Sequence, residues 1–422
     1  MRSRNVFVGL CFLVLGFSNP VLAESISQVS AKDRVITPES IETFRNQGYR
    51  GIQAFLSTYK SELSQQPSLR TALDAICQQK DCDAAQLYWY TDLERAKAVA
   101  QASGKPILSL RLLGNLDEEL SCANSRFFRT VLYPNTEVSQ ILRDRFVLHW
   151  QSVRPVPKVT IDFGDGRKLE RTLTGNSIHY ILDSNGRPVD ALPGLYSPKA
   201  FQQQLTIAEK AFKQSQNLQG SARDQFWQGY HRDRLAALQN NWNRDRILVG
   251  MPSQPLLQSL NSNNLKANTV SPSPDARIAG RIAIGKMAPE MPILSRILDR
   301  TAVTSIAADP NRMDDLIWVR LANRYIQEAR LDASSQMVMR RKLGANENYP
   351  EVLAKFERSI AQDTVRNEYL LHAQIHEWMI GWSDASNLTK LNERVYAELF
   401  LTPSSDPWLG LLPQDTYTGI AP

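Results

Sequence analysis

The sequence predicts an α/β domain, a mixed central sheet flanked by helices, set between a helical N-terminal region and a mostly α-helical C-terminal domain. Three observations predict it. Over residues 88–217, apolar strand runs alternate with amphipathic helices. Within that stretch Gly164-Asp165-Gly166-Arg167 separates two alternating runs, a strong hairpin signal. After residue 218, apolar residues recur at helical spacing.

The first element is a secretory signal over residues 1–23. Arg2 and Arg4 form a basic head, Val6 to Phe17 is almost entirely apolar, and Asn19-Pro20 breaks the run before Val21-Leu22-Ala23. The run is shorter than the roughly 20 residues that span a bilayer, and Cys11 lies too early for a lipoprotein cleavage site. The chain is therefore expected to be exported, to the periplasm or the medium. It should start near Glu24, with no stable membrane insertion after cleavage. The 422 residues suggest two or three domains, and 42% apolar with 22% charged residues is ordinary for a globular protein. The formal charge of +6 falls to +4 without Arg2 and Arg4. It is spread along the chain, with no basic stripe interleaved with aromatics, so no nucleic-acid partner is expected.

Residues 24–83 form the helical N-terminal region. Thr37-Pro38-Glu39-Ser40 is a helix start: a capping residue, proline in the first turn, then an acid. The helix it opens carries Ile41, Phe44, Gly48 and Ile52, and a second covers Ser68 to Cys77. Residues 84–217 form the α/β domain. Thr91-Asp92 opens a helix that Gly104-Lys105-Pro106 stops, and Ile107 to Leu112 is a buried strand. Ser121 opens a helix that Pro134 ends, a short helix holds Val138 and Leu142, and Phe146 to Trp150 is a second strand. The hairpin of Val159–Phe163 and Lys168–Leu173 follows, then the strands Ile178–Leu182 and Pro188–Ala191 and a closing helix from Ser197-Pro198. Residues 218–422 form the helical domain, with helices over Trp227–Trp242, Pro292–Leu298, Asp314–Leu331, Pro350–Gly381 and Asn387–Phe400. A Ser/Asn/Pro-rich loop lies at 261–274, and the tail from Thr402 reads as extended.

Three cysteines remain after export: Cys77, Cys82 and Cys122. An exported chain meets an oxidising compartment, and an odd count leaves one thiol unpaired. Cys77 and Cys82 can pair if the helix ends between them, which leaves Cys122 free. The competing Cys82–Cys122 pairing stays open.

The run Trp89-Tyr90-Thr91-Asp92-Leu93-Glu94, then Ala96-Lys97 and Gly104-Lys105-Pro106-Ile107-Leu108, resembles the opening of the thioredoxin-like superfamily. There a helix leads through Gly-Lys-Pro into the central strand. Ile181 to Val189 resembles that superfamily's late hairpin, and Pro193-Gly194 followed by Phe201 its last turn and helix. The resemblance covers about 130 residues. It implies a reactive sulfur at Ser121-Cys122-Ala123-Asn124-Ser125, where Cys122 matches the first cysteine and Ser125 replaces the second. A helix N-terminus stabilises thiolate, but a lone thiolate needs an external thiol to resolve a mixed disulfide. Asp117, Glu118 and Glu119 in the approach loop are expected to raise the thiol pKa. The family's cis-proline position falls on Gly175-Asn176-Ser177-Ile178-His179, which has no proline. Ser177 is its match, and Asn176, Ser177 and His179 are candidates to face Cys122 and bind substrate, His179 as a possible activating partner of the thiol or simply a structural residue of the sheet.

Two functions follow from the resemblance. One is a monothiol redox or thiol–disulfide role through Cys122, with an external thiol as co-reactant. The other is a catalytically inactive thioredoxin-like scaffold that binds a protein partner through its helical C-terminal domain. Neither calls for a cofactor. Glu368, His372 and His376 fall at i, i+4 and i+8 on one helix face. His372-Ala373-Gln374-Ile375-His376 lacks the glutamate of the zinc-protease signature, so the pair reads as solvated or capped rather than as a metal site.

Overall fold

The computed structural model describes residues 36–172, 175–253, 255–256, 313–343, 348–381 and 386–406. The signal, the 261–274 loop, the helix expected at Pro292–Leu298 and the tail beyond Asp406 lie outside the described residues.

Helix α1 (Pro38–Asn46) starts as its sequence dictates: the Ser40 amide donates to Thr37 Oγ1 at 3.3 Å, and Pro38 sits in the first turn. The single helix expected through Ile52 is in fact two. Gly48 adopts φ 64°, open to glycine at little cost, and the chain turns there into α2 (Tyr49–Tyr59). Helix α2 packs so closely on α1 that a side chain at Gly51 would place its Cβ 1.8 Å from the Phe44 carbonyl oxygen. Helix α3 (Pro67–Cys77) ends at Gln78 in the left-handed conformation, and α4 (Cys82–Ala85) follows. The helix thus ends between the two cysteines. Cys77 and Cys82 are paired, their Cα atoms 6.3 Å apart, inside a small core of Ile52, Phe55, Leu73 and Ile76.

Asp92 caps α5 (Leu93–Ser103) by accepting the Glu94 and Arg95 amides, and Gly104 at φ 65° ends it. Strand β1 (Ile107–Leu113) is buried along its whole length. Helix α6 (Ala123–Phe127) runs on through a π-helical turn (Phe128–Leu132), and α7 (Thr136–Arg145) leads into β2 (Val147–Arg154). Strands β3 (Lys158–Asp162) and β4 (Lys168–Thr172) make a separate exposed hairpin. Strands β5 (Ser177–Leu182) and β6 (Pro188–Pro193) and helix α8 (Pro198–Ser215) complete the unit. The sheet order is β2-β1-β5-β6, with β1 parallel to β2, antiparallel to β5, and β5 antiparallel to β6. β1 and β5 are interior strands, which is why both read as near-continuous apolar runs.

The chain then becomes helical: α9 (Gly220–Leu248), α10 (Met313–Asn323), α11 (Ala333–Lys342) and α12 (Tyr349–Arg366). A π-helical turn (Asn367–His372) joins α12 to α13 (Ala373–Gly381), and α14 (Leu388–Arg394) ends in a second such turn (Val395–Leu399). The helix expected over Asp314–Leu331 stops at Asn323. Asp332 then starts α11, which the apolar spacing does not mark. One carboxylate oxygen of Asp332 caps α11 through the Ser335 amide, and the other accepts the Thr136 amide at the start of α7. Sheet and helical region share one continuous core: Leu110, Leu112 and Phe201 belong to the same cluster as Ile360, Trp378, Tyr396 and Phe400. No helix among the described residues is long and apolar enough to cross a membrane.

Candidate functional site

Two places gather chemistry-bearing side chains. The first is the junction of β1 and α6. Cys122 is the N-terminal capping residue of α6, and its amide donates to the Leu113 carbonyl at 3.4 Å. The loop that precedes β5 lies against this helix start: Asn124 Nδ2 donates to Ser177 Oγ at 2.8 Å, and a Cβ on Gly175 would sit 2.6 Å from Asn124 Oδ1. The structure therefore brings Cys122, Ser125, Asn176 and Ser177 to one locality.

Their side chains are nonetheless committed to the fold. Cys122 is unpaired and wholly buried, 0% exposed. Burial pushes its thiol pKa up, against weaker opposing hydrogen bonds from Ser125 and Leu113. The acids of the approach loop do not cause this rise: Glu119 turns to Lys342 at 3.1 Å and Arg129 at 3.8 Å, and Glu118 accepts from Asn115. Ser125 Oγ donates to Ser121 Oγ at 2.5 Å and to the Cys122 carbonyl at 3.0 Å. His179 does not pair with the thiol. Its Nε2 faces the Tyr133 hydroxyl at 2.7 Å among Phe128 and Phe201, and burial holds its pKa down to about 3. On β5 it is a structural histidine of the sheet.

The C-terminal segment covers this locality. Asn176 Nδ2 donates to Thr402 Oγ1 at 3.0 Å, and the Asn176 carbonyl accepts from the buried Tyr396 hydroxyl at 3.2 Å. Arg154 donates to the carbonyls of Thr402 and Asp406 at 3.0 and 2.8 Å, fastening the same segment to the end of β2.

The second place is a buried cluster between β6, α9 and α12–α13. The histidine pair expected to be solvated or capped is fully buried: His372 and His376 are each 0% exposed, His231 and Asp190 1%. His372 Nε2 lies 3.1 Å from Asp190 Oδ1, and the Tyr230 hydroxyl donates to Asp190 Oδ2. The His231 and His376 Nδ1 atoms face one another at 2.9 Å, and the His372 and His376 rings stack at 4.2 Å. Glu368 Oε2 is 3.8 Å from His372 Nδ1. Burial works against a charge on His372, but the hydrogen bonds and charges of Asp190 and Glu368 prevail and raise its pKa to about 9. His376 is pushed well below the ordinary value and His231 to about 4, both by burial first. The i, i+4 spacing of His372 and His376 is visible in the sequence. Asp190 and His231 carry no local signal that would join them to it. Nor does the Glu368 spacing reveal the neighbouring cleft of about 340 Å³, lined by Gln204, Arg234, Tyr325 and Glu368 among others.

No known protein family, curated protein or solved structure matches this chain.

Proposed function

We propose that the chain is an exported protein built on a thioredoxin-like domain that serves as a scaffold, with Cys122 a covered monothiol rather than an exchanging one. The burial of Cys122 carries this reading: it is 0% exposed, with its thiol pKa raised. Disulfide exchange needs an accessible thiolate, and this thiol lacks both properties. The likeness to thioredoxin-like proteins is supported by three placements. Gly104-Lys105-Pro106 leads into an interior strand, Cys122 caps the helix after it, and the loop at Ser177 packs on that helix start. The helical region covers the place where such a thiol would open, through Tyr396, Thr402 and Asp406. In this reading the cleft between α8, α9 and α12 is the surface offered to a protein partner, since it presents Arg234, Arg244, Glu328 and Glu368 together.

Alkylation of the purified mature chain, read by mass spectrometry, tests the proposal. Cys122 should stay unmodified in native buffer and react at once in denaturant. Native labelling at pH 6 faster than a model thiol would establish the redox role instead. The same spectra should show an N-terminus near Glu24, and an intact Met1 would remove the export proposal.

A further inference from the structure

We propose that Asp190, His231, His372 and His376 bind a single Zn²⁺ ion that joins the sheet to the helical region. Asp190, His372 and His376 each offer a donor atom within 4.8 Å of the other two, and all three are buried. His231 is not of that group of three, but its Nδ1 lies 2.9 Å from His376 Nδ1, which makes it the next donor at hand. Donors on a tetrahedral ion with bonds of about 2.0–2.2 Å lie about 3.4 Å apart, so the three close on an ion by side-chain rotation and His231 has to move in beside His376.

The hydrogen bonding of the cluster points to a ligand. Three imidazoles carry six nitrogens, and His231 Nε2, His372 Nδ1 and His376 Nε2 have no hydrogen-bond partner among the described residues; nor does Glu368 Oε2. The nitrogens that face one another are the other three, His231 Nδ1, His376 Nδ1 and His372 Nε2, the last 3.1 Å from Asp190 Oδ1. A cation among them takes their lone pairs and leaves the three outward nitrogens as N–H groups. The surroundings match what a metal needs. The second oxygen of Asp190 is held by the Tyr230 hydroxyl. The far nitrogen of His372 faces the Glu368 carboxylate at 3.8 Å, the outer partner that fixes a ligating imidazole. Glu368 also lines the neighbouring cleft. Three nitrogens and one carboxylate, all buried, suit Zn²⁺ in a closed four-coordinate site better than Mg²⁺ or Ca²⁺, which require oxygen donors. The donors come from β6, α9 and the α12–α13 junction, so the ion would act as a cross-link.

The test uses the full mature chain, stripped with a chelator and titrated with Co²⁺ and then Zn²⁺. One Co²⁺ per chain should bind with the intense visible bands of a four-coordinate site, and Zn²⁺ should displace it and raise the melting temperature. His376→Gln and His231→Gln should lose those bands. Glu368→Gln, which keeps every donor, should bind Zn²⁺ about 10- to 100-fold more weakly. His149→Gln, a buried histidine elsewhere, should bind as the parent does. Stripped parent chain that is folded by circular dichroism yet takes up neither ion overturns the proposal, whether or not the variants fold. Undiminished binding in folded His376→Gln overturns it equally.

Discussion

Replacing Cys122 by alanine separates a buried thiol from a working one. The side chain lies in the main core at 0% exposure, at the N-cap of α6, where hydrogen bonds from Ser125 and Leu113 reach it. A serine hydroxyl can accept the same bonds and caps the helix. Cys122→Ala removes the sulfur, leaves a small cavity and loses those bonds, at about 1–2 kcal/mol. Serine should therefore be the less damaging of the two. For a cooperative unit of about 150–250 residues, 1 kcal/mol shifts the midpoint by about 2–4 °C. Cys122→Ala should then lower the melting temperature by roughly 2–8 °C and Cys122→Ser by less. Thermal melts by circular dichroism, paired with urea titrations, read both numbers. A wild-type midpoint for Cys122→Ala would mean that the thiol faces water, and the scaffold reading would fail.

Three further outcomes are expected. Burial holds His149 and His179 near pKa 3, whereas an unfolded histidine titrates near 6.5, so the unfolded chain binds more protons between those values. The contribution of these two rings is complete above about pH 6.5 and falls as pH drops toward 3, by up to about 1.4 kcal/mol per pH unit for each ring. Urea titrations at pH 7, 6 and 5 check this, and the slope should flatten in His179→Phe. Reducing Cys77–Cys82 closes a short loop no longer, so the loss should be about 2 kcal/mol; non-reduced peptide mapping should link these two cysteines, and a Cys82–Cys122 peptide would contradict the fold. Gly51→Ala sets a Cβ 1.8 Å from the Phe44 carbonyl and should cost about 1–3 kcal/mol by parting α1 from α2. An unchanged urea midpoint would show that the two helices do not pack this closely.

Much of the fold is legible in particular residues. Thr37, Asp92 and Ser197 each cap the helix they were expected to cap. The Gly164–Arg167 turn joins the two strands that its flanking alternation marks. Such signals are local: a cap or a tight turn is decided within four or five residues. Two exceptions are quieter. The helix break at Gly48 looks like an ordinary glycine within a helical run, and α11 starts at Asp332, whose one oxygen accepts the Ser335 amide locally while the other holds Thr136, almost two hundred residues away.

The sequence by itself determined the order of strands and helices in the α/β unit and the placing of Cys122 at the start of α6; it left open whether Cys82 pairs with Cys77 or Cys122. Only the tertiary structure decided what those residues can do. Whether Cys122 is open depends on Tyr396 and Thr402, more than 270 residues further on, which close over the loop at Asn176. Whether His372 and His376 are solvated depends on Asp190 and His231, which β6 and α9 carry to them. Periodicity records which face of an element is apolar, and not which distant element will cover it. Burial and donor gathering are properties of that second, long-range choice. They set the thiol's pKa and the histidines' partners, and with them the chemistry open to this chain.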